Sequence, residues 1–253
     1  MRWLKLAVDI VIGAVIPIWL LENMTEVWGS VPTYLVAALI PVTYVLIDTF
    51  FITRRFNVIT SFGAAGALLR GALAFWFVDG ALFALKDSAG FVLNLLIFGG
   101  SLVIGRPIMR FFLVQALGPD SAEKTRALQD VLGLPTAVKA IVIASVLLAT
   151  EAAITGVVNY FLNLGIVVAP FGDGLFNRQV AQVNAITRIA FTITNFVAFG
   201  VGFTLIYRAL LAALPEQGPD EKDIEMWDLI VRRWKATSDT AAPVSRSPEA
   251  AEA

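Results

Sequence analysis

Long apolar runs separated by short polar connections dominate the chain. Six runs approach the length needed to cross a bilayer: residues 6–21, 32–51, 58–78, 88–104, 137–162 and 186–214. A helix needs about 20 largely apolar residues to cross roughly 30 Å of hydrocarbon. The pattern therefore predicts an all-α protein, a polytopic transmembrane helical bundle of about six spans. The first run begins like a signal peptide, with Arg2 and Lys5 ahead of it. Asp9 interrupts it, however, and no small-x-small cleavage site follows, so it reads as a retained span.

Lys and Arg set the orientation, because short cytoplasmic loops collect them. Arg2, Lys5, Arg54, Arg55, Arg106, Arg110, Lys124, Arg126, Lys139 and Arg208 then fall on one side. The other side has Lys86, Arg178 and Arg188 beside Glu22, Glu26, Asp79, Asp87 and Asp173. Both termini are predicted to be cytoplasmic, with residues 1–214 forming the membrane bundle.

Two polar segments carry helical signals. Between the fourth and fifth runs, Asp120 with Glu123 three residues on forms a capping-box pattern. Gly133 and Pro135 stop it, predicting a short cytoplasmic helix near 120–132. Within 215–235, Ile224, Trp227, Val231 and Trp234 share one stripe beside Arg232, Arg233 and Lys235. That stripe fits an amphipathic helix lying on anionic lipid, or a solvated amphipathic stub. Residues 236–253 are small and polar, the composition of a disordered tail.

Composition agrees with lipid as the main solvent. The 253 residues are 58% hydrophobic and 15% charged, with mean hydropathy +0.77. Soluble domains carry roughly 25% charged residues. A net charge of −1 gives no basic field for nucleic acid. Cys and His are both absent, which removes thiol nucleophiles, imidazole acid–base chemistry and the usual metal ligands. No phosphate loop, dinucleotide fingerprint or acidic diphosphate-binding repeat occurs. The sequence calls for no catalytic residues, no metal and no cofactor.

Ionisable residues inside apolar runs are costly and usually face protein or water. Asp9 and Asp48 lie near cytoplasmic ends and are expected to pair with Lys5, or with Arg54 and Arg55. Arg70 and Glu151 stand at matched depths of about 20 Å on the third and fifth runs. They are candidates for an interhelical pair, either a registry device or part of a solute or proton site. Gly63, Ala67, Gly71 and Ala74 accompany Arg70 on a small-residue face suited to close helix approach. Thr155 and Asn159 share a polar face with Glu151. Arg188, Thr192, Asn195 and Gly202 form a stripe on the sixth run, and Asn94 lies in the fourth. The candidate polar seam thus comprises Arg70, Asn94, Glu151, Asn159, Arg188 and Asn195. Pro17 and Pro41 sit within runs and release backbone carbonyls there.

The stretch from Pro17 to about Leu113 contains Pro17, Pro41, the TRRFN turn and the run FVDGALFALKDSAGFVLNLLIFGGSLVIGRPIMRFFL. It resembles a family of uncharacterised bacterial multispan inner-membrane proteins, loosely related to intracellular septation protein A. Asp79, Lys86, Ser101, Leu102 and the Arg106–Pro107 pair carry the resemblance. It implies an inner-membrane location and a link to envelope synthesis or division, with no reaction attached. The expected partners are the lipid bilayer and other envelope membrane proteins. Three roles follow. One is a non-catalytic envelope- or septation-associated protein acting through partners. The second is a small-solute transporter or channel using the polar seam. The third is a lipid-modifying enzyme, supported only by Arg70 and Glu151.

Overall fold

The computed structural model describes residues 8–53, 58–215 and 225–241, and those residues form helices and no strands. A π-helical segment, Val11–Val15, leads into α1 (Ile16–Asn23). Next come α2 (Thr25–Trp28) and α3 (Ser30–Ile47), which continues as a second π-helical segment, Asp48–Thr53. Then follow α4 (Val58–Ala74), α5 (Gly80–Val103), α6 (Ile108–Leu117) and α7 (Ala122–Val131). The chain continues as α8 (Pro135–Ile166), α9 (Gly174–Leu211) and α10 (Met226–Ala241). Four helical stretches among the described residues are long and apolar enough to cross a membrane: Ser30–Phe51, Gly80–Val103, Pro135–Ile166 and Gly174–Leu211. The chain is an all-helical membrane protein.

Several boundaries differ from those read off hydropathy. The fourth run was expected to open at Ser88, but α5 starts at Gly80 and takes in Lys86 and Asp87. A hydropathy boundary stops at charge. A helix stops only where the backbone must, and ALFALKDSAG contains no breaker other than its closing glycine. The third run ends at Ala74 rather than Val78. The sixth begins twelve residues earlier than expected, because Asp173 caps α9 by accepting from the Leu175 amide at 2.9 Å. Ser121, not Asp120, caps α7, accepting from the Lys124 amide at 3.1 Å. Asp120 instead pairs with Lys124 at 3.0 Å.

α8 is the spine of the bundle, with α5 along one side and α9 along the other. Glycines permit both contacts. A Cβ on Gly156 would lie 3.0 Å from the Phe91 Cβ, and one on Gly202 would lie 3.2 Å from the Ala144 Cβ. The small-residue face of α4 packs on α3, where a Cβ on Gly71 would lie 3.0 Å from Val42 Cγ1. Gly63 remains exposed and takes no part in that contact.

The apolar core is divided. One cluster joins the C-terminal part of α5 and α6 to α7, the first half of α8, the last half of α9 and α10. The other joins α1, α3, the start of α5 and the start of α9 to the 167–171 connection. At this second end, Glu26 pairs with Arg178, and the Phe171 amide donates to Asp79 at 3.2 Å. Tyr34, Phe83, Phe171 and Phe176 pack there edge to face.

α10 corrects two expectations. It continues to Ala241, so residues 236–241 are helical; residues 242–253 lie outside the described residues. Its apolar stripe is covered by protein. Leu229 and Ile230 are buried, and Trp227, Val231 and Trp234 pack on the first core cluster. Ile224 lies outside the described residues. Lys235 pairs with Glu123 of α7 at 2.9 Å, and Arg233 donates to the Ala213 carbonyl at 2.5 Å. The stripe matches α7 and the end of α9 instead of a lipid surface, because α7 presents Ala127, Leu128 and Val131 as a complementary apolar face.

Candidate polar cavity

Between the two core clusters lies a cavity of about 710 Å³. It is bounded by the first π-helical segment, α1, α3, α4, α5, α8 and α9. All six seam residues line it: Arg70, Asn94, Glu151, Asn159, Arg188 and Asn195. Asp9 lines it too, and Asp48 does not. Their expected partners Lys5, Arg54 and Arg55 lie outside the described residues. Asp9 accepts a hydrogen bond from the Tyr44 hydroxyl at 2.5 Å.

The structure separates Arg70 and Glu151. No ion pair joins them. Glu151 accepts from Thr194 at 3.2 Å and from Asn195 at 3.5 Å, both on α9. The second contact is long for a hydrogen bond. Matched depth placed the two charges on one cavity, but depth fixes only one coordinate. The azimuth of each helix sets which neighbour a side chain meets.

Residues outside the predicted seam complete the lining. The Asp87 carboxylate accepts from Asn159 at 3.0 Å and Asn163 at 2.9 Å, one turn apart on α8. Asn159 also donates to the Ser88 hydroxyl at 3.1 Å. Buried Lys86 donates to the Trp76 carbonyl at 2.6 Å and sits 4.9 Å from the Tyr34 ring centroid. Asn184 and Thr192 of α9 also face the cavity. The sequence signal for the Asp87 site was the i, i+4 spacing of Asn159 and Asn163, which puts two amides on one helix face.

Arg188 reaches across to the N-terminal helix and donates to the Gly13 carbonyl. Two features leave carbonyls over in this turn. Proline has no N–H to give, and in an α-helical register the residue-17 amide would bond Gly13. The ladder there also widens to a π-helical segment, with Ile16 bonding to Val11. Such widened turns often accompany functional sites.

Each carboxylate on the cavity therefore accepts from neutral donors: Asp9 from a phenol, Asp87 from amides, Glu151 from a hydroxyl and an amide. Arg188 and Lys86 each donate to a backbone carbonyl. Arg70 differs. Among the described residues it makes no hydrogen bond or ion pair, and it is exposed. Its guanidinium lies over Gly90, where an added Cβ would stand 3.4 Å from Nη2 and 3.5 Å from Nε. Asn94, Asn184 and Thr192 likewise have open side-chain groups on this cavity.

Among the described residues, no group of three or more acidic ligands is placed to hold a metal ion. No protein-family model, curated protein or solved structure matches the chain.

Proposed function

We propose that this protein is a six-span bacterial inner-membrane protein, with both termini cytoplasmic, that holds a small polar solute in its central cavity as a transporter or channel would. The observation that carries this reading is convergence. Polar residues from separate helices, each costly to place in lipid, line one volume of about 710 Å³ between two apolar cores. Pockets for small molecules typically measure about 300–1,000 Å³. A buried pair serving only helix registry needs no such volume. The short helical stretches 11–23 and 58–74 supply the first and third spans, the latter about 25 Å long at 1.5 Å per residue. In this orientation α6, α7 and α10 lie at the cytoplasmic end with Arg106, Arg110 and Arg126.

The envelope-associated reading rests on the resemblance over Pro17–Leu113 and assigns the cavity no ligand. The two readings separate experimentally. The chain has no cysteine, so introduced thiols report without background. Asn184→Cys, on the cavity, is expected to react in membranes with a hydrophilic thiol reagent. Val197→Cys, exposed on α9 but off the cavity, is expected to stay unreacted. Equal protection at both positions would mean a dry cavity and return the weight to a partner-dependent role. Ser121→Cys labelled only from the cytoplasmic side checks the orientation.

A further inference from the structure

We infer that the cavity's ligand carries an oxyanion, a carboxylate or phosphate group, and that the Arg70 guanidinium binds it. The inference rests on the solute-site reading above and narrows it to a chemical class. Counting charges alone does not decide it, because three cationic and three anionic side chains line the cavity. What distinguishes them is which group has no partner among the described residues of the bundle. Asp9, Asp87 and Glu151 each accept from neutral donors of the bundle. Those bonds solvate the carboxylates without removing their charge, so each anionic group already has donors from the bundle. Lys86 and Arg188 are engaged with the carbonyls of Trp76 and Gly13.

Of the six charged groups on the cavity, Arg70 is the one that makes no hydrogen bond or ion pair among the described residues; Lys86 and Arg188 are each anchored by one bond to a carbonyl. A guanidinium offers five N–H donors in a rigid planar fork that matches a carboxylate or phosphate with two parallel bonds. Arg70 is exposed on the cavity, so its fork is accessible to a ligand, and hydrogen bonds to a charged group are worth more than those between neutral ones. The neighbours fit a polar ligand body as well. Asn94, Asn184 and Thr192 line the same cavity with donors and acceptors unused. Gly90 lies beside the fork: an added Cβ would stand in contact with Nη2 at 3.4 Å, and a larger side chain would take the space next to it.

Two sources present this chemistry: a water-soluble oxyanion and the phosphate of an anionic lipid. The test uses the Asn184→Cys protein in discs of phosphatidylcholine at constant ionic strength set with chloride. Succinate and inorganic phosphate are added separately, with glucose and methylammonium as controls. A bound competitor slows labelling by a factor of 1 + [L]/Kd, about tenfold at ten times its Kd. The expected result is protection by an oxyanion and none by glucose or methylammonium. Arg70→Gln is expected to weaken that protection about ten- to a hundredfold, the worth of hydrogen bonds to a charged group, and Arg70→Lys to weaken it less. Gly90→Val, which keeps Arg70 but crowds its fork, is expected to weaken it too. Slow labelling in phosphatidylglycerol discs without any soluble anion would identify the lipid phosphate as the occupant.

Labelling that only glucose or methylammonium slows would overturn the oxyanion assignment and leave a solute site standing. Labelling that no probe and no lipid slows would overturn the assignment as well. A cysteine that never reacts would remove both this inference and the solute site. The comparison among probes on the Arg70 protein stands even where an Arg70 variant fails to fold.

Discussion

Ile230→Ala is expected to destabilise the protein by about 2–5 kcal/mol, the usual range for emptying a fully buried aliphatic site. Ile230 is 0% exposed, and its neighbours on α7, Leu128 and Val131, are equally enclosed. Thermal or denaturant unfolding in detergent and in neutral-lipid discs should give the same loss. That equality is the informative part. A helix held on anionic lipid would respond to lipid charge and show little effect of Ile230 in a neutral environment. Replacing Lys235, whose exposed side chain pairs with Glu123 at 2.9 Å, is expected to cost less than about 1 kcal/mol, the usual worth of a surface ion pair. A large effect at Lys235 with a small one at Ile230 would restore the lipid-facing reading of this helix.

The second large effect is expected at Arg188. Replacing it with alanine removes the donor to the Gly13 carbonyl, and hydrogen bonds involving a charged partner are worth about 1.5–3 kcal/mol. The role of Pro17 makes the prediction specific. Pro17→Ala restores an N–H four residues after Gly13, which bonds that carbonyl once the π-helical turn closes in α register. Arg188→Ala should therefore cost less in a Pro17→Ala background, with a coupling in the range of about 0.5–3 kcal/mol seen for residues that share a partner. Additive losses would show that Arg188 stabilises the bundle by some route other than that carbonyl.

Hydropathy made the fold class legible, because membrane spans must be long and apolar. It also picked out the seam. Arg70, Glu151, Arg188 and the asparagines stand out against apolar neighbours, and all six seam positions line the cavity. Their partners were not legible. Arg70 and Glu151 share a depth, yet Glu151 meets Thr194 and Asn195, because spacing along a helix carries no information about how two helices rotate against each other. Lys86 and Asp87 were assigned to a connection for the opposite reason. Their charge hid a helix that begins two turns earlier, and the carboxylate of Asp87 finds its partners in Asn159 and Asn163 through tertiary packing. The stripe on α10 was visible as a pattern, but a pattern shows that a face wants covering and not what covers it. A cavity built from the seam supports the solute-site proposal, whereas the resemblance and the lack of recognisable chemistry support action through partners.

The contact between Arg188 and Gly13 spans 175 positions of the chain. Until α9 packs against the first helix, the Gly13 carbonyl lacks the donor that Arg188 provides. Loop closure over such a length is entropically unfavourable in itself. The seating of the first helix on the bundle therefore waits for α9 and does not follow from that helix's own formation.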